Sequence, residues 1–467
     1  MSALSDEEYE LLPGDGHSGP RSKGRMRRGC LSRLLRPLKK NPNIMFFGSL
    51  ILFICSVVFT TRDFLKAHTT TANNYYNTIL NNLWPIGLPN RTDIWENENS
   101  KSMHSLVNCM SANSCRENQT SIVLLSSDHF AGSIAGAVSG EDIWASSVLD
   151  ALQQQGYTTI FTTDNQQLAA TYRQFPELVK VVILEGSHSR QCFSDPRCIK
   201  TKDHPLGIPA WKMLSFHFWS GSANPLGNAW TLSPENFPLL SPKDSAENVY
   251  LGYSIEKACS QIPTTPFAER PRQAYILAKR LDYFGKDYSW TGIELDKPPF
   301  EISFLAGIRQ GSKTTTLPKG INDLGSLNKT QFYDHLSQSR VLLGIGSPPL
   351  SPSPYDALCM GVPFINPIDH WDDKDPENRT KWSTQHEVLK FQDPPYVYNI
   401  KKHDEKAFWD ALQKALDTPI DRFIVPDMTM EALKARVARI VEEDWRGKAE
   451  RLLDDRISTG KGDLFEI

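Results

Sequence analysis

Between Ser121 and Gly186 the chain alternates between two hydrophobic periods. Short apolar runs, "SIVLLSS", "YTTIFTTD" and "VKVVILEG", are separated by "DIWASSVLDALQQQG" and "QLAATYRQFPEL", where apolar residues recur every three to four positions. Apolar runs of this length bounded by turn residues predict buried strands, and the longer period predicts helices. Strands joined through helices by short loops must be parallel, so a β-α-β-α-β unit with a helix-covered sheet is expected. Residues 187–266 lose this regularity. Their aromatic residues, as in "PAWKMLSFHFWSGSANPLGNAWTLSPENF", are better read as a cover for the core than as a sugar platform. Alternation returns in "AYILAKRLDYFG", "EISFLAG", "SLNKTQFYDHLSQS", "VLLGIG", "VPFINP" and "YVYNI", and the end is helical, with a long run from Met428 to Leu453. The pattern predicts two Rossmann-like α/β domains, an N-terminal one over 120–266 and a C-terminal one over 267–467, with a ligand cleft between them.

Ahead of these, residues 62–119 are polar, Asn-rich and without sustained period, which predicts a stem. Residues 44–61, "IMFFGSLILFICSVVFTT", are uncharged and would cross about 27 Å as a helix, a minimal membrane span. Residues 1–43 carry nine Lys and Arg against five Asp and Glu, and the basic residues all lie just before the apolar run. Some forty residues precede the run and no cleavage site of small residues follows it, so it is expected to stay as a signal-anchor. The basic tail stays cytosolic and the chain from about Arg62 onward is lumenal, a type II topology.

Composition agrees with a folded multidomain protein: 467 residues, 40% hydrophobic and 22% charged. The net charge of -3 hides a basic tail and a mildly acidic body, which argues against nucleic-acid binding. Sequons at Asn90, Asn118, Asn328 and Asn378 all follow the anchor. Six of the eight cysteines do too, and Cys109/Cys115 and Cys192/Cys198 are spaced for short bridges, although six cysteines allow fifteen connectivities.

The segment from Val341 to Ile368 holds the main candidate site. Two buried strands flank "PPLSPSPYDALCMG", in which a helix is expected from Pro354 to about Met360, with Ser353 as N-cap, Pro354 at the first position and Gly361 ending it. A loop at the carboxyl end of a parallel strand is where open α/β sheets bind ligands, and a helix N-terminus there suits phosphate. Asp356 has two readings of equal weight: the last member of a capping box, or a ligand-facing carboxylate. "DKD" at Asp373–Asp375 formally matches a metal-binding triplet but lies in a charged loop beside a sequon and reads as surface.

This segment, "GIGSPPLSPSPYDALCMGVPFINP", resembles the donor-site motif of the α-1,6-mannosylglycoprotein 6-β-N-acetylglucosaminyltransferases of glycosyltransferase family 18. "PLGNAWTLSPENF" followed by "LGYSIE", "GEDIWASSVLDALQQQGY" and "STQH" are similar to further family motifs, and together they span roughly Gly132 to Leu416. The resemblance implies a GT-B fold, UDP-GlcNAc as donor, inversion at the anomeric carbon, no required metal or other cofactor, a glycoprotein glycan as acceptor and a Golgi membrane location. It maps the catalytic carboxylate onto Glu141 and the donor site onto Gly344, Gly346, Ser353, Pro354 and Asp356. Without it, a first-turn Glu complementing the helix dipole would be the preferred reading of Glu141. The phosphate-binding lysine maps onto Lys381, with Lys279 and Arg280 as rivals. The family's Glu is Asp356 here, and its acidic loop is replaced by "PLSPSP". A transferase using another nucleotide sugar and an inactive, membrane-anchored glycan-binding protein are the alternatives.

Overall fold

The computed structural model describes residues 76–86, 94–137, 140–219, 221–237, 248–262, 264–285, 287–309 and 315–467. The basic tail, the expected span at 44–61 and Asn90 lie outside them. No helix among the described residues is long and apolar enough to cross a membrane. Residues from Asn77 to Ile467 form one compact unit built on two mainly parallel sheets.

The first sheet has the order β2-β1-β3-β4-β5-β6, all parallel. Its strands are β1 (Ile122–Ser126), β2 (Thr158–Phe161), β3 (Val179–Glu185), β4 (Met213–Phe216), β5 (Thr231–Ser233) and β6 (Val249–Tyr250). Every residue of β1, β2 and β4 is buried, as continuous apolar runs covered by helices require. The second sheet has the order β12-β11-β10-β7-β8-β9, with β13 parallel to β11 and β12 antiparallel to it. It comprises β7 (Gln273–Ile276), β8 (Ser303–Ala306), β9 (Ile321–Asp323), β10 (Val341–Leu343), β11 (Phe364–His370), β12 (Ser383–Thr384) and β13 (Val397–Lys401). The chain leaves β7 toward β8 on one side and returns at β10 on the other. The carboxyl ends of β7 and β10 therefore flank a topological switch point, and those of β1 and β3 flank the corresponding one in the first sheet.

Two expectations change. The stem expected over residues 62–119, without sustained period, holds a helix, Ile94–Ser111, whose Met103, Leu106 and Cys109 enter the first core. Only one narrow apolar line marks it, because its neighbours are polar residues with structural work: the Asn99 amide donates to Phe161 O at 2.8 Å and accepts from Phe161 N at 2.7 Å, closing the open edge of β2. Likewise, 267–467 is not one domain core. Leu433, Val437, Ile440 and Val441 of the helix Met430–Glu442, and Trp445 and Ala449 of Trp445–Thr459, belong to the first core. The chain thus crosses from the first half to the second after β6 and crosses back before Met430. Arg436 ties both crossings, donating to Leu251 O and to Asp427 O at 2.7 Å each.

Disulfides join Cys109 to Cys115 and Cys192 to Cys198, and a third joins Cys259 to Cys359. The third links the helix Glu256–Gln261, just past the first crossing, to the helix Ser353–Cys359.

Candidate active site

Gly344 and Gly346 follow β10 directly at the switch point. Gly344 is buried: a Cβ there would collide with Gln385 Oε1 and stand 2.7 Å from Ile365 O. Its carbonyl accepts from Trp290 Nε1 at 2.6 Å. Gly346 has φ 94°, and a Cβ on it would lie 2.6 Å from Ser289 Oγ, which itself donates to Asp369 Oδ1 at 3.1 Å. Both positions require glycine, one for close approach and one for its backbone as well.

The helix that follows departs from expectation. It runs Ser353–Cys359 with Pro352 as N-cap and no side-chain cap, so Ser353 is its first residue, not its cap, and Pro354 is second. Pro352 explains the shift. Its ring holds φ at -68°, already helical, and Tyr355 N and Asp356 N donate to its carbonyl at 3.0 and 3.3 Å. Few backbone N–H groups of this short turn remain for a phosphate. Asp356 falls one residue too late for a capping box. Its carboxyl lies beside the Tyr333 phenol and is pushed up to about 7 by desolvation, against the pull of Tyr333 and Lys329. Desolvation and the Asp356 charge hold the Tyr333 phenol far above its ordinary value.

The two candidate lysines separate. Lys381 is exposed on the loop after β11, where it pairs with Asp372 at 2.6 Å and Asp375 at 3.3 Å, and these carboxylates hold its ammonium above the ordinary value. Asp373 accepts from Trp371 Nε1 at 3.0 Å, so "DKD" is a local surface network. Among the described residues, no group of three or more His, Cys, Asp or Glu side chains is arranged to hold a metal ion. Lys279 is exposed just past β7, the strand beside β10, and its backbone carbonyl accepts from Arg309 N at 3.0 Å. Its neighbour Arg280 pairs with Asp282 at 2.9 Å.

At the first switch point, Ser127 Oγ donates to Glu185 Oε1 at 2.9 Å, joining the ends of β1 and β3. Glu141 sits in the first turn of the helix Gly140–Gln154, half-buried and without a hydrogen bond or ion pair among the described residues. The next residue, Asp142, is buried and lies 3.2 Å from His129 Nδ1. Trp144, one turn after Glu141, stacks on Phe216 at the end of β4 with ring centroids 3.4 Å apart. This stacking anchors the turn that carries Glu141 over the carboxyl edge of the sheet. A half-buried carboxylate with no partner can take a proton; a His held by an Asp can as well.

The sequons differ in their surroundings. Asn118 donates to Gln155 O at 3.1 Å and Asn378 to Asp375 Oδ2 at 2.8 Å. Asn328 caps the helix Lys329–Ser337 through Oδ1, and its exposed amide nitrogen has no partner among the described residues.

Several residues of the site carried no individual signal in the sequence. Gln385 bonds the glycine loop, and Ser289, Asp369 and Trp290 pack under it. His386, next in "STQH", is buried edge-on against Tyr355, and burial drives it down to about 3, so the ring is neutral. Only the recurrence of "STQH" could have pointed to this stretch.

The glycosyltransferase family 18 model matches residues 135–450. Over 247 residues the chain is 24% identical to alpha-1,6-mannosylglycoprotein 6-beta-N-acetylglucosaminyltransferase A from Homo sapiens, and equally so to the Mus musculus protein. Each match covers 50% of this chain and 32% of the relative, so the chain spans about a third of the length of these relatives. A sucrose-phosphate synthase structure from Thermosynechococcus elongatus overlaps 73% of this chain and all of its own at 12% identity and a TM-score of 0.35, too distant to bear on function.

Proposed function

The chain belongs to glycosyltransferase family 18, and from that premise we propose that it is an inverting glycosyltransferase that moves GlcNAc from UDP-GlcNAc to a mannose of a glycoprotein N-glycan, forming a β-1,6 branch. The observation that carries the reading is the family's glycine-containing donor motif lying at the switch point between β7 and β10. The lobe containing β7 and β10 would hold the nucleotide sugar, and the lobe containing β1 to β6 the acceptor, as in a GT-B enzyme.

In this proposal the acceptor hydroxyl oxygen attacks the anomeric carbon from the face opposite UDP. The bond to the diphosphate oxygen breaks, UDP leaves with its electron pair, and the hydroxyl proton passes to Glu141. Charge on the departing diphosphate is met by Lys279, the exposed cation just past β7, the strand that pairs with the glycine loop's β10, in preference to Lys381, which its own loop already neutralises. Asp356 reaches the donor ribose after leaving Tyr333. No resident metal or cofactor takes part. We propose a Golgi membrane location with type II topology: the uncharged run at 44–61 and the basic residues before it support the topology, and the family resemblance supports the compartment.

The test is incubation of the full chain in detergent with UDP-GlcNAc, EDTA and mannose-terminated glycan acceptors. GlcNAc transfer is expected. Absence of transfer to every acceptor, together with transfer from a different nucleotide sugar, would sink the donor assignment.

A further inference from the structure

Gln385 makes four hydrogen bonds, three of them to a loop more than thirty positions earlier in the chain. Its side-chain Oε1 accepts from Gly346 N at 3.0 Å and its Nε2 donates to Pro348 O at 3.2 Å. Its backbone carbonyl accepts from Leu350 N at 3.0 Å, and its own N–H donates to Pro367 O on β11 at 3.1 Å. The residue is 2% exposed, so both ends of its amide are committed in a site largely closed to water.

The loop has little else to hold it. Pro348, Pro349, Pro352 and Pro354 offer no N–H. The amides of Tyr355 and Asp356 turn back to Pro352 O, and that of Ser353 points to Ser351 Oγ at 3.4 Å. The amides of Gly346 and Leu350 both end on Gln385. Those of Ser347 and Ser351 have no partner among the described residues, and both serines are partly exposed; the Ser351 hydroxyl donates to Ser353 Oγ at 3.3 Å, whereas that of Ser347 has no partner among the described residues. Two of the loop's amides are therefore spent on fixing its shape, and the two that alternate with them stay open.

We infer that Gln385 is a positioning residue for the donor loop: by binding Gly346, Pro348 and Leu350 it holds open the Ser347 and Ser351 amides, together with the Ser347 hydroxyl, as ligands for the diphosphate of a nucleotide sugar. The inference rests on the donor-site reading above. It replaces the short helix's N-terminus with the loop ahead of it as the anion-binding element. It also explains why a glutamine immediately past β12 accompanies the glycine motif, since Gly344 must lack a side chain for the Gln385 amide to pass.

Two measurements on the full chain test it, with UDP as the probe. In the ligand-free wild type, residue-resolved hydrogen exchange should show Gly346 and Leu350 protected and Ser347 and Ser351 exchanging, the latter two gaining protection only when UDP is added. In Gln385→Met, which keeps the length and removes the polar atoms, protection at Gly346 should be lost and the Kd for UDP should rise about 10–100-fold, the loss of two hydrogen bonds. Gln385→Glu, which keeps an acceptor for Gly346 but cannot donate to Pro348, should protect Gly346 and still bind UDP more weakly than wild type. Rapid exchange at Gly346 and Leu350 in the wild type, or an unchanged Kd in Gln385→Met, overturns the inference. A wild type that binds no UDP overturns the donor reading instead, and the exchange pattern still decides whether Gln385 holds the loop.

Discussion

The Arg436 guanidinium occupies the space a side chain on Gly252 would need: a Cβ built on Gly252 lies 2.6 Å from Arg436 Nη2. Gly252 also has φ 69°, a conformation that L-residues pay to adopt, and it follows Leu251, whose carbonyl accepts from Arg436. The first crossing between the halves thus takes its shape from a residue on the helix after the second crossing. Gly252→Ala should destabilise the protein by about 1–3 kcal/mol through backbone strain and displacement of the guanidinium, measured as a drop in the urea midpoint. Equal midpoints would show that the crossing accommodates a side chain.

Stability should fall as pH rises across the range set by Glu235. This carboxyl is buried with no ion-pair partner among the described residues, and desolvation pushes it from 4.5 up to about 8. Between those values the folded chain keeps a proton that the unfolded chain has released, so the folded state binds more protons and unfolding becomes easier as pH increases. Asp356, raised to about 7 by the same cause, acts in the same direction. Glu235→Gln should flatten the fall in Tm between pH 5 and 8 without abolishing it, and should leave a variant more stable than wild type above pH 8. A steeper fall would mean that Glu235 has a compensating partner.

Asp356 bears on donor binding as well as on stability. Asp356→Ala should weaken UDP about 10–100-fold in calorimetry, the scale of a hydrogen bond to a charged group. Wild-type affinity should improve as pH rises through about 7, where the carboxylate forms. An Ala variant that binds UDP like the wild type would remove Asp356 from the donor site.

Glu141 and the His129–Asp142 pair compete as proton acceptors, and turnover separates them. Glu141→Gln should lower kcat by about 10²–10⁴-fold while acceptor binding survives. His129→Phe, which breaks the pair but leaves Glu141, should change kcat by less than about tenfold. The opposite ranking would move the base to His129.

Cys259–Cys359 closes the longest disulfide loop among the described residues, with a sequence separation of 100. Replacing both cysteines by serine should cost about 2–5 kcal/mol, read as a lower Tm under non-reducing conditions. The two short bridges at Cys109–Cys115 and Cys192–Cys198, each of separation 6, restrict far less of the unfolded chain.

Strands such as β1, β3 and β10 were legible because a buried parallel strand needs consecutive apolar residues, and "IVLLS", "VKVVILE" and "VLL" supply them; β4, β5 and β6, two to four residues each within the irregular stretch 187–266, were not, because so short a run amid irregular sequence carries no period. The helix Ile94–Ser111 was not: polar residues such as Asn99 gain their purpose from the edge of β2, which no local pattern contains. The start of the helix at Ser353 was misplaced by one residue for a local reason. A serine before a proline is a good cap on paper, but Pro352 had already committed the backbone to the turn.

By itself the sequence determined the two α/β halves, the glycine loop and the family motifs, and it offered the two short disulfide pairs as one choice among fifteen connectivities, since periodicity, spacing and motif are properties of neighbouring residues. Only the tertiary structure decided that the last helices return to the first core, that Lys381 pairs with Asp372 and Asp375 of its own loop while Lys279 has no ion-pair partner among the described residues, and that Gln385 holds the loop of Gly346. Each of those depends on which distant segments meet. Packing sets such meetings through burial and hydrogen bonds between residues tens to hundreds of positions apart, which no reading of neighbours along the chain contains.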